Sequence, residues 1–135
     1  FNLRYFKNFI LGKNRSVKDL LMDQKFLSGL GNIYVNEILF FSKIKPSRKI
    51  NRLKDEEIKK IILNTRKIIK KAIILGGSSI KDFTNSIGKK GNFQQHFKVY
   101  GKKGKKCSNS DCNGTIKKVA ILQRATFFCS VCQKY

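Results

Sequence analysis

All four cysteines of this 135-residue chain lie in its last 29 residues, at positions 107, 112, 129 and 132. The pattern is C-x4-C, sixteen residues, then C-x2-C. Two close pairs separated by a hairpin-length insert can converge on one tetrahedral ion, each pair presented by its own knuckle. Two disulfides are the alternative. The N-terminal window lacks the apolar stretch and cleavage site of a secretory signal, so one structural zinc ion held by Cys107, Cys112, Cys129 and Cys132 is expected instead. About 30 residues cannot build a sufficient core alone, so the metal should supply the folding energy, and four protein ligands leave no open position for catalysis.

The insert between the pairs reads as strand: Thr115 to Leu122 and Ala125 to Cys129 are β-favouring runs, with Gln123-Arg124 as the turn. Upstream the chain reads as helix. Ser16 is an N-cap with Asp19 three residues on, followed by an apolar face of Val17, Leu20, Leu21, Met22, Phe26 and Leu27 that stops at Gly29 and Gly31. Asn32 is the expected N-cap of a second helix to Phe41, with Ile33, Ile38, Leu39 and Phe41 inside. After a loop at Pro46-Ser47, Asp55, Glu56 and Glu57 suit the positive end of a third helix ending at Leu75 before Gly76-Gly77. Its Ile58, Ile61, Ile62, Thr65, Ile68, Ile69, Ala72 and Ile73 recur at helical spacing, as a core face does. A linker is placed near 84–100. The fold expected is mainly α, a helical domain followed by a small β-hairpin zinc finger.

Charge narrows the partner. Lys and Arg number 30 against 8 acids, a net of +22. AT-rich coding explains the preference for Lys over Arg but not the scarcity of acids. A polyanion is therefore expected, nucleic acid before a membrane surface. Residues 43–71 alone hold 12 basic and 3 acidic side chains, a net of +9. No apolar run is long enough to span a bilayer.

Three smaller features could touch nucleic acid. In Gly29-Leu30-Gly31-Asn32, backbone N–H groups at a helix start and the Asn32 amide suit a phosphate, although most such turns are plain helix stops. Lys18 could reach the same anion or be a solvated surface lysine. Arg124, at the tip of the hairpin, could cross a phosphate or be an exposed turn residue. His96, the one histidine, is read as packed or solvent-facing rather than as a ligand or base.

Together these segments resemble the formamidopyrimidine-DNA glycosylase family. Phe26-Leu-Ser-Gly-Leu-Gly-Asn-Ile-Tyr-Val-Asn-Glu37 is similar to its helix–two-turn–helix signature. Gly76-Gly-Ser-Ser-Ile-Lys-Asp-Phe83, Ser86-Ile-Gly-Lys-Lys-Gly-Asn-Phe93 and Val99-Tyr-Gly101 follow in order, and Gln123-Arg-Ala-Thr-Phe-Phe-Cys-Ser-Val-Cys-Gln-Lys134 resembles the terminal zinc finger. The endonuclease VIII branch shares the turn and finger, whereas the two middle blocks look more like the formamidopyrimidine branch. The C-x4-C knuckle departs from the C-x2-C of many members.

The resemblance implies roles. Asn32 matches the asparagine on the DNA phosphate beside the lesion, Lys18 a nearby basic residue, Tyr100 a position next to the bound backbone, and Arg124 the finger arginine around the everted nucleotide. Ser86, Gly88, Lys89, Lys90, Gly91, Asn92 and Phe93 match a loop that closes over the damaged base. It further implies a helical DNA-binding domain over 1–93, a linker and finger over 94–135, double-stranded damaged DNA as partner, a monomer, and a bacterial cytoplasmic setting. In this family an N-terminal proline amine attacks the sugar and a following glutamate moves protons, removing oxidised purines such as oxoguanine. This chain begins Phe1-Asn2 and its single proline is Pro46. It is therefore expected to be the C-terminal half without the catalytic domain, with no catalytic residue of its own. Glu37, the nearest candidate acid, is read as structural. A zinc-ribbon nucleic-acid module of transcription or translation, or a basic membrane-surface domain, are the rival classes.

Overall fold

The computed structural model describes residues 1–28, 30–74 and 97–133, with the side chains of 72–74 excepted. Its elements are α1 (Leu3–Ile10), α2 (Val17–Met22), α3 (Asn32–Phe41), a 3-10 turn (Ile50–Arg52), α4 (Asp55–Ile74), β1 (Ile116–Ile121) and β2 (Arg124–Cys129).

Helix α3 is the centre. Every residue from Tyr34 to Phe40 is buried, so it is covered on all sides rather than along one stripe. Helix α2 and α4 pack against it, α1 packs on α4, and β2 packs on α3 from the hairpin side. The helical core joins Phe6, Val17, Leu20, Leu21, Phe26, Val35, Ile38, Leu39, Ile58 and Ile61. Helix α1, which the sequence reading does not delimit, is capped by Asn2, whose Oδ1 accepts from the Tyr5 N–H at 2.8 Å. It brings Phe1, Tyr5, Phe6 and Phe9 into ring contact with Phe26. That cluster, worth about 0.5–1.5 kcal/mol per pair beyond burial, fixes the approach to the turn between α2 and α3.

The expected cap at Ser16 is present, its Oγ accepting from the Asp19 N–H at 3.1 Å. Helix α2 is shorter than expected, ending at Met22 instead of reaching Gly29. The Asp19 and Asp23 carboxylates both turn to Arg15, at 2.6 and 2.7 Å, and Asp23 also accepts from the Lys25 N–H, which draws the chain into turns. Phe26 still buries its side chain. Asn32 is not the N-cap of α3: Gly31 holds that position, and Asn32 is the first helical residue with its side chain directed elsewhere.

The sequence places Phe41 and Ile69 inside, but both are exposed: Phe41 follows Phe40, the last buried residue of α3, and Ile69 lies beyond Thr65, the last buried residue described on α4. Helix α3 terminates through a left-handed Lys43 at φ 59°, with the Ile44 N–H donating to Leu39 O and the Lys43 N–H to Phe40 O. This is the terminator usually built on glycine. The buried Ile44 supplies its apolar contact.

The hairpin pairs Ile121 with Arg124 and Ile116 with Cys129, antiparallel. Its two-residue turn is Leu122-Gln123, at φ 49° and 66°, one residue earlier than the Gln123-Arg124 expected. Two consecutive positive φ values match the strand twist that hairpins favour. Arg124 is consequently the first residue of β2 rather than the tip. Residues 97–100, read as the end of a linker, are packed: Phe97 joins the helical core, and Val99 joins a second cluster with Phe40, Cys107, Ile116 and Phe127. No helix among the described residues is long and apolar enough to cross a membrane.

Candidate nucleic-acid interface and metal centre

Polar side chains of α3, rare on a helix so deeply buried, tie together the parts that the sequence scatters. Asn36 Oδ1 accepts from the Phe127 N–H at 2.7 Å, and its amide donates to Asn32 O at 2.8 Å. The Asn32 amide donates to Ala125 O at 3.0 Å. Next to Asn36 on the helix, the Glu37 carboxylate accepts the N–H groups of Lys98, Val99 and Tyr100 at 2.6, 3.0 and 2.9 Å. Burial raises the Glu37 carboxyl above its usual range, against the pull of those three donors. A carboxylate used in this way is a strut holding the backbone before the cysteines, as the sequence reading of Glu37 expected.

Lys18 is almost fully buried, 1% exposed, so the solvated alternative does not apply. Its Nζ donates to Thr126 Oγ1 at 2.9 Å. Burial, with the positive charge of Arg124 nearby, pushes its pKa down to about 8. Arg124 itself is exposed. Lys18, Asn32 and Arg124, distant in sequence, therefore meet where α2 and α3 abut the start of β2. Two cations close enough to repel, beside an amide donor at a helix start, form a site suited to an anion. Tyr100 is packed between the two cores, its ring edge-on to Phe127 at 5.1 Å and to Phe97 at 6.0 Å. Ser86, Gly88, Lys89, Lys90, Gly91, Asn92, Phe93, the Gly76–Phe83 block, His96 and Gly29 lie outside the described residues.

The four thiols converge. All four Sγ atoms lie within 4.8 Å of one another, with Cys107–Cys132 at 3.6 Å and Cys112–Cys129 at 3.5 Å. A tetrahedral thiolate site with metal–sulfur bonds of about 2.3 Å has sulfur–sulfur edges of about 3.8 Å. The donor set and spacing thus fit a metal ion. The surroundings fit as well, since the Gly114 N–H donates to Cys112 Sγ, the Cys132 N–H to Cys129 Sγ, and the Asn109 amide to Cys132 Sγ. Donors aimed at sulfur stabilise thiolates and fix their orientation. Gly114 leaves no room for a side chain: a Cβ there would stand 2.6 Å from Cys129 Sγ. The longer first knuckle closes through the Cys112 N–H to Asn109 O bond and the Cys107 N–H to Gly114 O bond.

Two connectors escaped the sequence reading. Gln133, 1% exposed, accepts from the Cys129 N–H and donates to Ile44 O, bolting the second knuckle to the end of α3. Asn36 is the other. The signal that could have found Asn36 is an amide inside an otherwise apolar helix.

Residues 1–84 match the Formamidopyrimidine-DNA glycosylase H2TH domain family. The formamidopyrimidine-DNA glycosylase of Listeria monocytogenes is 42% identical over 134 residues, covering 99% of this chain and 48% of its own length. That of Rickettsia canadensis is 40% identical over 131 residues, covering 97% and 47%. Among solved structures, the Lactococcus lactis formamidopyrimidine-DNA glycosylase non-covalently bound to DNA containing an AP site superposes with a TM-score of 0.85 at 38% identity, over 99% of this chain and 47% of that one. The same enzyme complexed with FAPY-dG-containing DNA gives 0.86 at 38% identity, over 100% and 48%. The chain spans about half the length of the relatives it matches. With the helical match, the near-complete coverage and the shared architecture in agreement, the chain belongs to the formamidopyrimidine-DNA glycosylase family.

Proposed function

We propose that this chain is the DNA-gripping part of a bifunctional DNA glycosylase/AP lyase that removes oxidised purines, and that the groups performing excision come from outside it. Asn32 and Arg124 hold phosphates flanking the damaged nucleotide, Lys18 supplies charge behind them, and Tyr100 lies along the backbone. Residues 86–93 form the loop that closes over the base. Cys107, Cys112, Cys129 and Cys132 hold one zinc ion, which stiffens the hairpin and takes no part in the chemistry. Residues 1–93 form the helical unit and 94–135 the connection and finger.

The observation that carries this reading is the meeting of Lys18, Asn32 and Arg124 at the junction of α2, α3 and β2. Relatives with the same architecture are complexed with AP-site and FAPY-dG DNA, which supports damaged DNA as the partner. Within the chain the work is positional. Glu37 fixes the backbone of Tyr100, and Asn36 fixes that of Phe127. The anion-facing groups are thereby set before DNA arrives, so little ordering cost falls on binding.

The test is binding of an abasic-site duplex across a salt series, with borohydride added in parallel. Six neutralised phosphates give a log–log slope of about −5. Asn32→Ala and Arg124→Ala should each weaken binding about tenfold, as loss of a charge-assisted contact does, and no covalent adduct should be trapped. Salt-insensitive binding, or an adduct formed by the chain alone, would overturn the proposal.

A further inference from the structure

That reading leaves one block of charge without a task. Beyond Glu57, α4 carries Lys59, Lys60, Arg66, Lys67, Lys70 and Lys71 and no acid. All six are exposed. At 3.6 residues per turn they fall within an arc of about 140°, and at 1.5 Å per residue they run for about 18 Å. The opposite face of the helix, Ile58, Ile61, Ile62 and Thr65, is buried. Helix α4 packs on α3 and α1, while β2, which carries Arg124, packs on α3. The cationic arc therefore points away from α3, and α4 and β2 meet α3 at different residues: β2 at Asn32 and Asn36, α4 at Ser42 through Asn64. The four ion pairs among the described residues use Lys7, Arg15 and Arg48 as their cations, and none uses these six. Arg66 donates to Phe1 O.

We infer that the exposed face of α4 is a second polyanion-binding surface, which takes the phosphate backbone of a duplex segment other than the one held at α3 and the hairpin. This rests on the proposed function only in naming the first segment. A duplex offers one charge per about 1.7 Å of axis, so an 18 Å strip of cations meets several phosphates without any base-specific group. Nucleic acid fits better than a lipid surface, because an interfacial helix inserts its apolar face, and that face of α4 is already buried in the core. Among the described side chains of α4, the exposed large apolar ones are Leu63 and Ile69. A protein with two such surfaces can hold one duplex while engaging another, and so pass between segments without a free interval.

The experiment uses the full zinc-loaded chain and the variant K59Q/K60Q/K67Q/K70Q, in which four surface positions are changed and the core is untouched. Bridging of two differently labelled duplexes is read by energy transfer at low salt, one carrying an abasic site and one undamaged. Wild type is expected to bridge them. The variant should lose at least tenfold in bridging while its affinity for the abasic-site duplex stays within about threefold. Arg124→Ala should weaken the abasic-site duplex and leave α4-dependent binding of the plain duplex in place. Equal bridging by wild type and variant, or none by wild type, overturns the inference. So does α4-dependent binding to vesicles of 30% phosphatidylserine without bridging, which would assign the face to membranes. If abasic-site binding fails while α4-dependent duplex binding persists, the proposed function falls and this surface stands.

Discussion

Lys18 Nζ and Thr126 Oγ1 lie 2.9 Å apart, joining the start of α2 to β2 across 108 positions of sequence. An ammonium held there is nearly sealed from water, with Arg124 nearby adding repulsion. Its pKa of about 8 lies below the 10.5 of a free lysine. Between those values the unfolded chain binds more protons than the folded one, so stability should rise with pH across that window. Below about pH 8 the folded chain carries the buried charge at a cost. Each unit of difference is worth about 1.4 kcal/mol.

Lys18→Met should remove that dependence and raise the unfolding free energy at pH 7, as hydrophobic replacement of buried charge often does, by about 1–3 kcal/mol. DNA binding should weaken in the same variant. Urea melts at pH 7, 8, 9 and 10, wild type against variant, check both. A wild-type profile flat from 8 to 10 would contradict the burial.

Glu37→Gln swaps an acceptor of three N–H groups for an amide whose own donors face them. A loss of about 2–3 kcal/mol is expected, the cost of leaving buried donors unmet. Hydrogen exchange should locate the damage at Lys98, Val99 and Tyr100, with α1 unaffected. Uniform loosening of the whole chain would mean that the carboxylate acts otherwise.

Gly114→Ala forces a methyl against Cys129 Sγ. Metal affinity should fall by tenfold or more, in the range seen when the shell around a metal site is disturbed, with the helices intact by circular dichroism. Competition with a chromophoric chelator reads the affinity. One equivalent of zinc per wild-type chain is the reference, and stripping it should melt the hairpin first.

Among the described residues, three with side chains hold left-handed backbone: Lys43, Leu122 and Gln123. Lys43→Gly should stabilise by up to about 1 kcal/mol, because glycine adopts that region freely. Replacing Leu122-Gln123 by Asn-Gly should stabilise the hairpin by about 1–2 kcal/mol. Thermal melts of the zinc-loaded chain measure both.

The same three residues show what sequence reasoning misses. The Ser16 cap, the isoleucine stripe of α4 and the cysteine spacing were legible because each is a local pattern with a local cause. The end of α3 and the hairpin turn lack their usual glycine or asparagine, so the sequence points to Gln123-Arg124, one residue past the actual turn. Asn32 resembles a helix cap in type, yet it is drawn to Ala125 O, 93 positions away. The burial of Lys18 depends on Thr126 and was equally invisible. Lys18, Asn32 and Arg124 stand out in the sequence by residue type and position as well as by resemblance, Tyr100 by resemblance alone. Their mutual arrangement comes only from packing on α3.

The hub role of α3 also sets a schedule. The polar partners of Asn36 and Glu37 on α3 and of Lys18 on α2 lie 61 to 108 positions downstream, so a chain emerging from the ribosome completes its helices while these three residues still wait. Contacts so distant in sequence form late. A product cut short after α4 and before Lys98 has its helices but leaves Lys18, Asn36 and Glu37 without the partners that cover them, open to solvent and to proteases, so incomplete molecules mark themselves for removal.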